Sequence, residues 1–193
     1  RRLRTDDQPQ AMLFEQMSAV ALQAHPYRVP VIGWMNDLES MTVHDARAWY
    51  QRWYVPNNAY MVVVGDVDHA EVFKLAERYY GPLARRALPP RKPQDEPLQS
   101  GMRRLAVKAP AELPVVLMAF KVPVLRDVEN DVDPYALEVL SAVLDGHEAA
   151  RFSKNLIRQQ RLAVSAGVGY DLTARGPGLF SVVGLPCAGR TWP

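Results

Sequence analysis

The side chains of this chain that could do chemistry are four histidines, one cysteine and scattered carboxylates, and their spacing assembles none of them into a site. A hydrolytic zinc centre needs two imidazoles one helical turn apart, a carboxylate to act as base and a third protein ligand, with one position left for water. The histidines are His25, His44, His69 and His147; no two can share a turn, and neither His-Glu-x-x-His nor its inverted order occurs. His147-Glu148 is the sole His-Glu dipeptide, and Arg151 stands where a second histidine would fall. His25 precedes Pro26-Tyr27 at a helix end, where an imidazole can bond the last carbonyls or favour the helix dipole. His44 falls in a first helical turn and His69 just after an N-cap, so both read as surface residues.

Nucleophiles fare no better. Cys187 has no second cysteine for a disulfide or a thiolate metal site and no histidine near it in sequence, so it reads as an incidental thiol. No Gly-x-Ser-x-Gly occurs, and Ser100-Gly101 and Ser165-Ala166-Gly167 lack the flanks of a nucleophile elbow. Gly176-Pro177-Gly178 and Gly65-Asp66 have turn character without the spacing of a phosphate loop. Asp127, Glu129, Asp131 and Asp133 make an acidic loop, read as solvated because the glycine and terminal glutamate of a calcium loop are missing. The expectation is that this chain supplies no catalytic, cofactor-binding or metal-ligating residue.

The elements that would position any site follow from periodicity. The composition, 48% hydrophobic and 23% charged, is that of a globular chain with a sizeable core. A net charge of +2 with interspersed signs leaves no footprint for nucleic acid, and no apolar run reaches the roughly 20 residues that span a bilayer. Met12, Leu13, Phe14, Met17, Val20, Ala21 and Leu22 recur at helical spacing and predict a core-facing helix ending near His25-Pro26. Thr42-x-x-Asp45 predicts a capping box opening a helix through Trp49, Tyr50 and Trp53 to about Tyr54. Val55-Pro56-Asn57-Asn58 stops it, and residues 59–64 form a continuous β-prone apolar run, expected as a central strand buried on both faces. Asp68 predicts the N-cap of a helix with Val72, Phe73, Leu75, Ala76 and Tyr79 on its apolar side, ended by Gly81-Pro82.

From Leu88 to Gly101 proline recurs amid charge, the composition of a linker. Beyond it, strands are expected at 102–108 and 115–122, then a helix capped by Asp133 with Pro134 in its first turn. A second helical stretch from about Glu148 to Gln160 follows, then a strand pair at 162–172 and 179–185 joined by Thr173-Ala174-Arg175-Gly176-Pro177-Gly178. Strands and helices without regular βαβ alternation predict an α+β fold: two α/β layered, roll-like units, both incomplete. The expected division is 1–88, a linker at 89–101, and 102–193.

The stretch HPYRVPVIG, then LESMTVHDARAWYQRWYVPNNA, VVVGDV and YYGPL, resembles in order the second half of the first α/β domain of the pitrilysin/insulinase-type zinc peptidases, the inverzincins. The opening RRLRTDDQP resembles the helix that follows that family's third zinc ligand. The strand 115–120, the helix ending VLDG, and ARFSKNLIRQQRLAVSAGVGYDLTARGPGLF resemble the start of its second domain. The resemblance implies a fragment of a zinc-dependent endopeptidase that hydrolyses peptides in a chamber between two homologous halves. Zinc is then expected in the intact protein, on His-x-x-Glu-His and a later glutamate upstream of Arg1, and none on this chain, which alone should be inactive.

In the zinc-free halves of such enzymes an arginine and a tyrosine two turns on hold substrate. Here Arg158 lies near the arginine, and Val164 stands where the tyrosine would be. The resemblance is therefore to a zinc-bearing half, whose second homologous half or subunit supplies the Arg/Tyr pair. The expected partners are a peptide substrate and that second half, with no nucleic acid and no membrane span, and the expected location is a bacterial periplasm or envelope. Two alternatives stand beside this reading: a non-catalytic homologue serving as scaffold or peptide-binding subunit, and an unrelated α+β binding domain.

Overall fold

The computed structural model describes residues 1–189. The chain divides into two compact units, one built from residues 1–34 with 94–193 and one from 35–93, so one division falls inside the proline-rich stretch.

The first unit begins with a short π-helical turn, Arg2–Asp6, and α1, Pro9–Ala21. Proline opens α1, where its missing N–H costs no hydrogen bond. The helix exists as the spacing predicts, and Leu22 at its C-cap is fully buried, but Phe14 is exposed. The sheet has three antiparallel strands in the order β1-β3-β2: β1 is Val116–Val122, β2 is Ala163–Gly169 and β3 is Gly178–Pro186. Phe120 faces Phe180 across β1 and β3, and Val168 faces Val182 across β2 and β3. The predicted strand pair joined by the 173–178 turn is present. Val164 is skipped between the pairs Ala163–Pro186 and Ser165–Leu185, so it occupies a β-bulge on an edge strand.

The second α-helix of this unit, Asp133–Asp145, begins one residue earlier than the sequence suggests: Val132 is its N-cap and bears no capping side chain, while Asp133 and Pro134 form the first turn. The second helical stretch becomes a π-helical segment, Phe152–Gln159, closed by Gln160 N–H donating to Asn155 O. Arg161 follows at φ +50°, a left-handed residue that swings the chain into β2. Among the described residues of this unit, Val124, Pro134, Ala150, Ala163, Phe180 and Pro186 are also buried.

The second unit is helical. Its elements are α2, Met35–Ser40; α3, Val43–Trp53; and α4, His69–Tyr80, so the Asp133–Asp145 helix is α5. The capping box forms as predicted: Thr42 Oγ1 and Thr42 N–H donate to Asp45 Oδ2 at 2.6 and 2.8 Å, and Asp45 N–H donates back to Thr42 Oγ1. Asp68 caps α4 by accepting from Glu71 N–H at 3.0 Å. The apolar faces of both helices are largely uncovered: Trp49, Tyr50, Phe73, Leu75 and Tyr79 are exposed, and Val55 is the buried apolar residue of this unit.

Two expected strands are not formed. Residues 59–64 and 102–108 have no ladder partner among the described residues. A strand is a two-body object: β-propensity supplies one member, and the hydrogen-bonding edge must come from elsewhere. The turn before the first of these runs is nonetheless firmly set. Asn57 Nδ2 donates to Arg86 O and Arg86 N–H donates to Asn57 Oδ1, both at 3.0 Å, while Asn58 Nδ2 donates to Trp53 O at 2.9 Å.

Candidate functional site

The histidines are dispersed, and two of them, His25 and His147, bond the backbone of their own turns. His25 does not bond the last carbonyls of α1. Those carbonyls, Val20 O and Ala21 O, accept from the Arg103 guanidinium at 2.6 and 3.3 Å, a cation brought to the negative end of the helix from 82 residues away. His25 instead caps the next turn, its Nδ1 accepting from Tyr27 N–H at 3.2 Å and its ring meeting Tyr27 edge-on at 4.7 Å. His147 Nδ1 likewise accepts from Ala149 N–H at 3.1 Å. His44 lies in the first turn of α3 and His69 opens α4, both exposed.

The acidic loop uses its carboxylates on its own backbone. Asp131 Oδ2 accepts from Arg126 N–H and Asp127 N–H at 2.7 and 2.8 Å, and Asp127 accepts from Glu129 N–H and from the Asn130 side chain. The Asn130 side chain and the Glu129 amide hold the Asp127 carboxyl below the usual carboxylate range, and the Asp127 and Arg126 amides do the same for Asp131. Arg126 also gathers the neighbouring loop, donating to Ala174 O, Arg175 O and Gly176 O at 2.8 to 3.0 Å. Cys187 is a free, half-buried thiol whose backbone N–H donates to Leu162 O at 3.0 Å.

The most heavily bonded carboxylate is one that sequence reasoning passed over. Glu96, in the proline-rich stretch, accepts from Gln23, Ala24 and His25 N–H at 2.8, 2.9 and 3.0 Å and from Lys121 Nζ at 2.7 Å. Burial pushes this carboxyl up, but the amides of Gln23 and His25, the Lys121 ammonium and the Ala24 amide outweigh it and hold the group well below the usual range. The bonds join the segment that follows α1 to β1. A second buried carboxylate, Glu15, takes both Nη atoms of Arg1 at 2.5 and 2.6 Å, and Arg1 lies 5.8 Å from the Trp34 ring. All these groups are committed to holding backbone or to one another.

The second unit has a cavity of about 820 Å³ walled by Trp49, Trp53 and Tyr54, with Arg91 over the Trp53 ring at 5.5 Å. Its walls are aromatic and cationic, with no serine, cysteine, histidine or carboxylate among its lining residues. Among the described residues no three His, Cys, Asp or Glu side chains come together to hold a metal ion, so the residues present do not fit a zinc centre.

At the β2 edge, Arg158 is exposed on the π-helical segment, and Val164 projects from the bulge with its side chain exposed. An exposed valine carries no donor, so the phenol expected in a zinc-free half is absent from that position.

The family model described as the Peptidase M16 inactive domain matches residues 40–188, a range that includes the proline-rich stretch. The chain belongs to the M16 peptidase family. This M16 chain is 33% identical over 170 residues to the zinc protease PqqE of Helicobacter pylori, covering 86% of the chain and 37% of that relative. It is 30% identical over 188 residues to the uncharacterized zinc protease ML0855 of Mycobacterium leprae, covering 96% of the chain and 41% of that relative. The crystal structure of a protease from Helicobacter pylori superposes with a TM-score of 0.84 at 30% identity, over 98% of this chain and 45% of that one. The M16 chain thus spans about two fifths of the length of the curated relatives it matches. No helix of the described residues is long and apolar enough to cross a membrane.

Proposed function

We propose that this M16 chain is part of a zinc-dependent endopeptidase that hydrolyses peptides held in a chamber between two homologous halves. Its share would be structural, and the metal ligands would come from the parent protein outside this chain. The observation that carries the reading is a match to relatives named zinc proteases along 86% and 96% of this chain, although its own histidines and carboxylates are dispersed or committed to backbone. The division into 1–88, a linker at 89–101 and 102–193 belongs to the same proposal. So does an Arg/Tyr pair on the second half, supported by the exposed Val164 at the bulge. An extended peptide added to a sheet edge gains its affinity from main-chain hydrogen bonds and tolerates varied sequences, which suits such a chamber.

The description of the matched domain as inactive favours a second reading, a non-catalytic homologue that serves as scaffold or peptide-binding partner. One experiment separates the two. Zinc per mole is measured by elemental analysis, and cleavage of a fluorescence-quenched peptide library is followed, for the 193-residue chain and for the product of its whole open reading frame. The expected result is neither zinc nor cleavage for the chain, with one equivalent of zinc and chelator-sensitive cleavage for the whole product, alone or with its second half. A full equivalent of zinc on the chain refutes the proposal, and a whole product without zinc establishes the scaffold reading.

A further inference from the structure

Trp49 and Trp53 stand four residues apart on α3 and so share one of its faces, and Tyr54 follows at the C-cap. Tyr50 stacks on Tyr54 at 4.6 Å and Trp49 meets Tyr54 edge-on at 5.9 Å, so the rings hold one another in place. The bonds between Asn57 and Arg86 bring the chain that follows α4 back to this helix end. There Arg91 lies over the Trp53 ring, with Lys92 next to it in sequence. Both cations are exposed, and among the described residues neither meets a carboxylate. With Asn58 these side chains wall the cavity of about 820 Å³, a size that admits a small ligand or a few residues of peptide, and all of them belong to the 35–93 unit.

Trp49 and Tyr54 are 58% and 60% exposed, and aromatic rings clustered in water mark a binding surface. A guanidinium stacked on an indole keeps its N–H groups free, and a carboxylate is the group that fits them. Apolar chain laid over these walls would strip water from two charges and return no partner, whereas an anion returns one. Single-stranded nucleic acid also combines stacking with charge, but it follows a basic track, and this chain carries a net charge of only +2 with its signs interspersed.

We propose that this cavity binds an acidic peptide segment in which a carboxylate adjoins an aromatic side chain. The ligand's ring packs on Trp49 and Tyr54, and its carboxylate pairs with Arg91 and Lys92. Charge complementarity selects the anion, and the occupant is a peptide because the inference rests on the reading of this chain as part of a peptide-handling protein. With no serine, cysteine, histidine or carboxylate in its walls, the cavity holds such a segment without cutting it.

The test is titration of acetyl-Gly-Glu-Phe-Glu-Gly-amide into the 193-residue chain and into the product of the whole open reading frame, with a chelator present so that nothing is cleaved. Tryptophan emission reports binding, since the peptide has no tryptophan of its own. Both proteins should bind it. Arg91→Gln and Lys92→Gln should each raise the dissociation constant about fivefold, and a peptide with glutamine for both glutamates should raise it about tenfold. Arg47→Gln, which removes an exposed cation of α3 outside the cavity, should leave it unchanged, and all three variants should melt at the wild-type temperature. Equal binding of the glutamine peptide, equal weakening by Arg47→Gln, or a tighter complex with oligothymidylate would each overturn the inference. So would binding by the chain that vanishes in the whole product, because parent segments would then cover the rings. A whole product that lacks zinc yet binds the peptide sinks the peptidase reading alone; one that carries zinc and cleaves peptides without binding this one sinks this inference alone.

Discussion

Lys121 Nζ donates to Glu96 Oε1 at 2.7 Å, joining β1 to a carboxylate that also holds three consecutive amides beyond α1. Charge-assisted bonds of this kind contribute about 2 kcal/mol. Glu96→Gln keeps the shape, loses the charge and turns an acceptor into a donor against amide donors. It should lower stability by about 2 kcal/mol, read as a shift in the urea midpoint with unchanged slope.

The same carboxyl sets a pH dependence. Its folded-state pKa lies below the usual carboxylate range, so its stabilisation is complete above that range and is lost as pH falls through it towards the lower folded value. Between about pH 5 and 3 the wild-type chain should lose more stability than Glu96→Gln. Parallel losses measured by denaturant titration at several pH values would remove Glu96 from the acid response.

Gly176 faces the ring of His25, where an added methyl carbon would lie 2.3 Å from Cε1 and 2.9 Å from the Tyr27 ring. The imidazole is fixed by its bond from Tyr27 N–H and cannot swing aside freely. Gly176→Ala should destabilise by about 1–3 kcal/mol. The double variant with His25→Ala should cost less than the sum of the two single changes, and a thermodynamic cycle checks the coupling.

Arg1 and Glu15 form a bidentate pair with both side chains about nine-tenths buried. Glu15→Ala would leave the guanidinium only Gly33 O at 3.2 Å and Asp6 at 3.6 Å, a loss of about 2 kcal/mol. Arg1→Met with Glu15→Leu should recover most of it, as calorimetry of the single and double variants would show.

Val164 lies in the bulge with an exposed side chain, so Val164→Tyr should change stability by less than about 0.5 kcal/mol. A large drop in melting temperature would mean that the position is packed and not open.

What the sequence disclosed was mainly what neighbouring residues decide among themselves. Thr42 and Asp45 are three residues apart, and their capping box could be read directly; so could Asp68 as a cap and the 173–178 turn between β2 and β3. Register at a cap was harder: Val132 and Asp133 differ by one position, and no side-chain bond marks either as the start. Residues 59–64 carried the propensity of a strand without the partner that would make them one. Glu96 could not be foreseen, because nothing in a charged, proline-rich run points to amides more than 70 residues earlier. The candidate site was legible chiefly as a family resemblance, since this chain's own reactive groups are dispersed along it or bonded to backbone.

The Asn57 side chain deserves a last comparison, with a peptide bond. Its amide offers one donor and one acceptor to the N–H and C=O of a single residue, Arg86, as an opposing residue does in an antiparallel pair. A side chain here does the work of one rung of main chain, tying two segments 29 residues apart without a strand on either side. Asn57→Asp, equal in size, would keep one contact and set a negative oxygen against the Arg86 carbonyl. The path of the chain from α4 towards its prolines is thus held at Arg86 by a side-chain amide in place of a neighbouring strand.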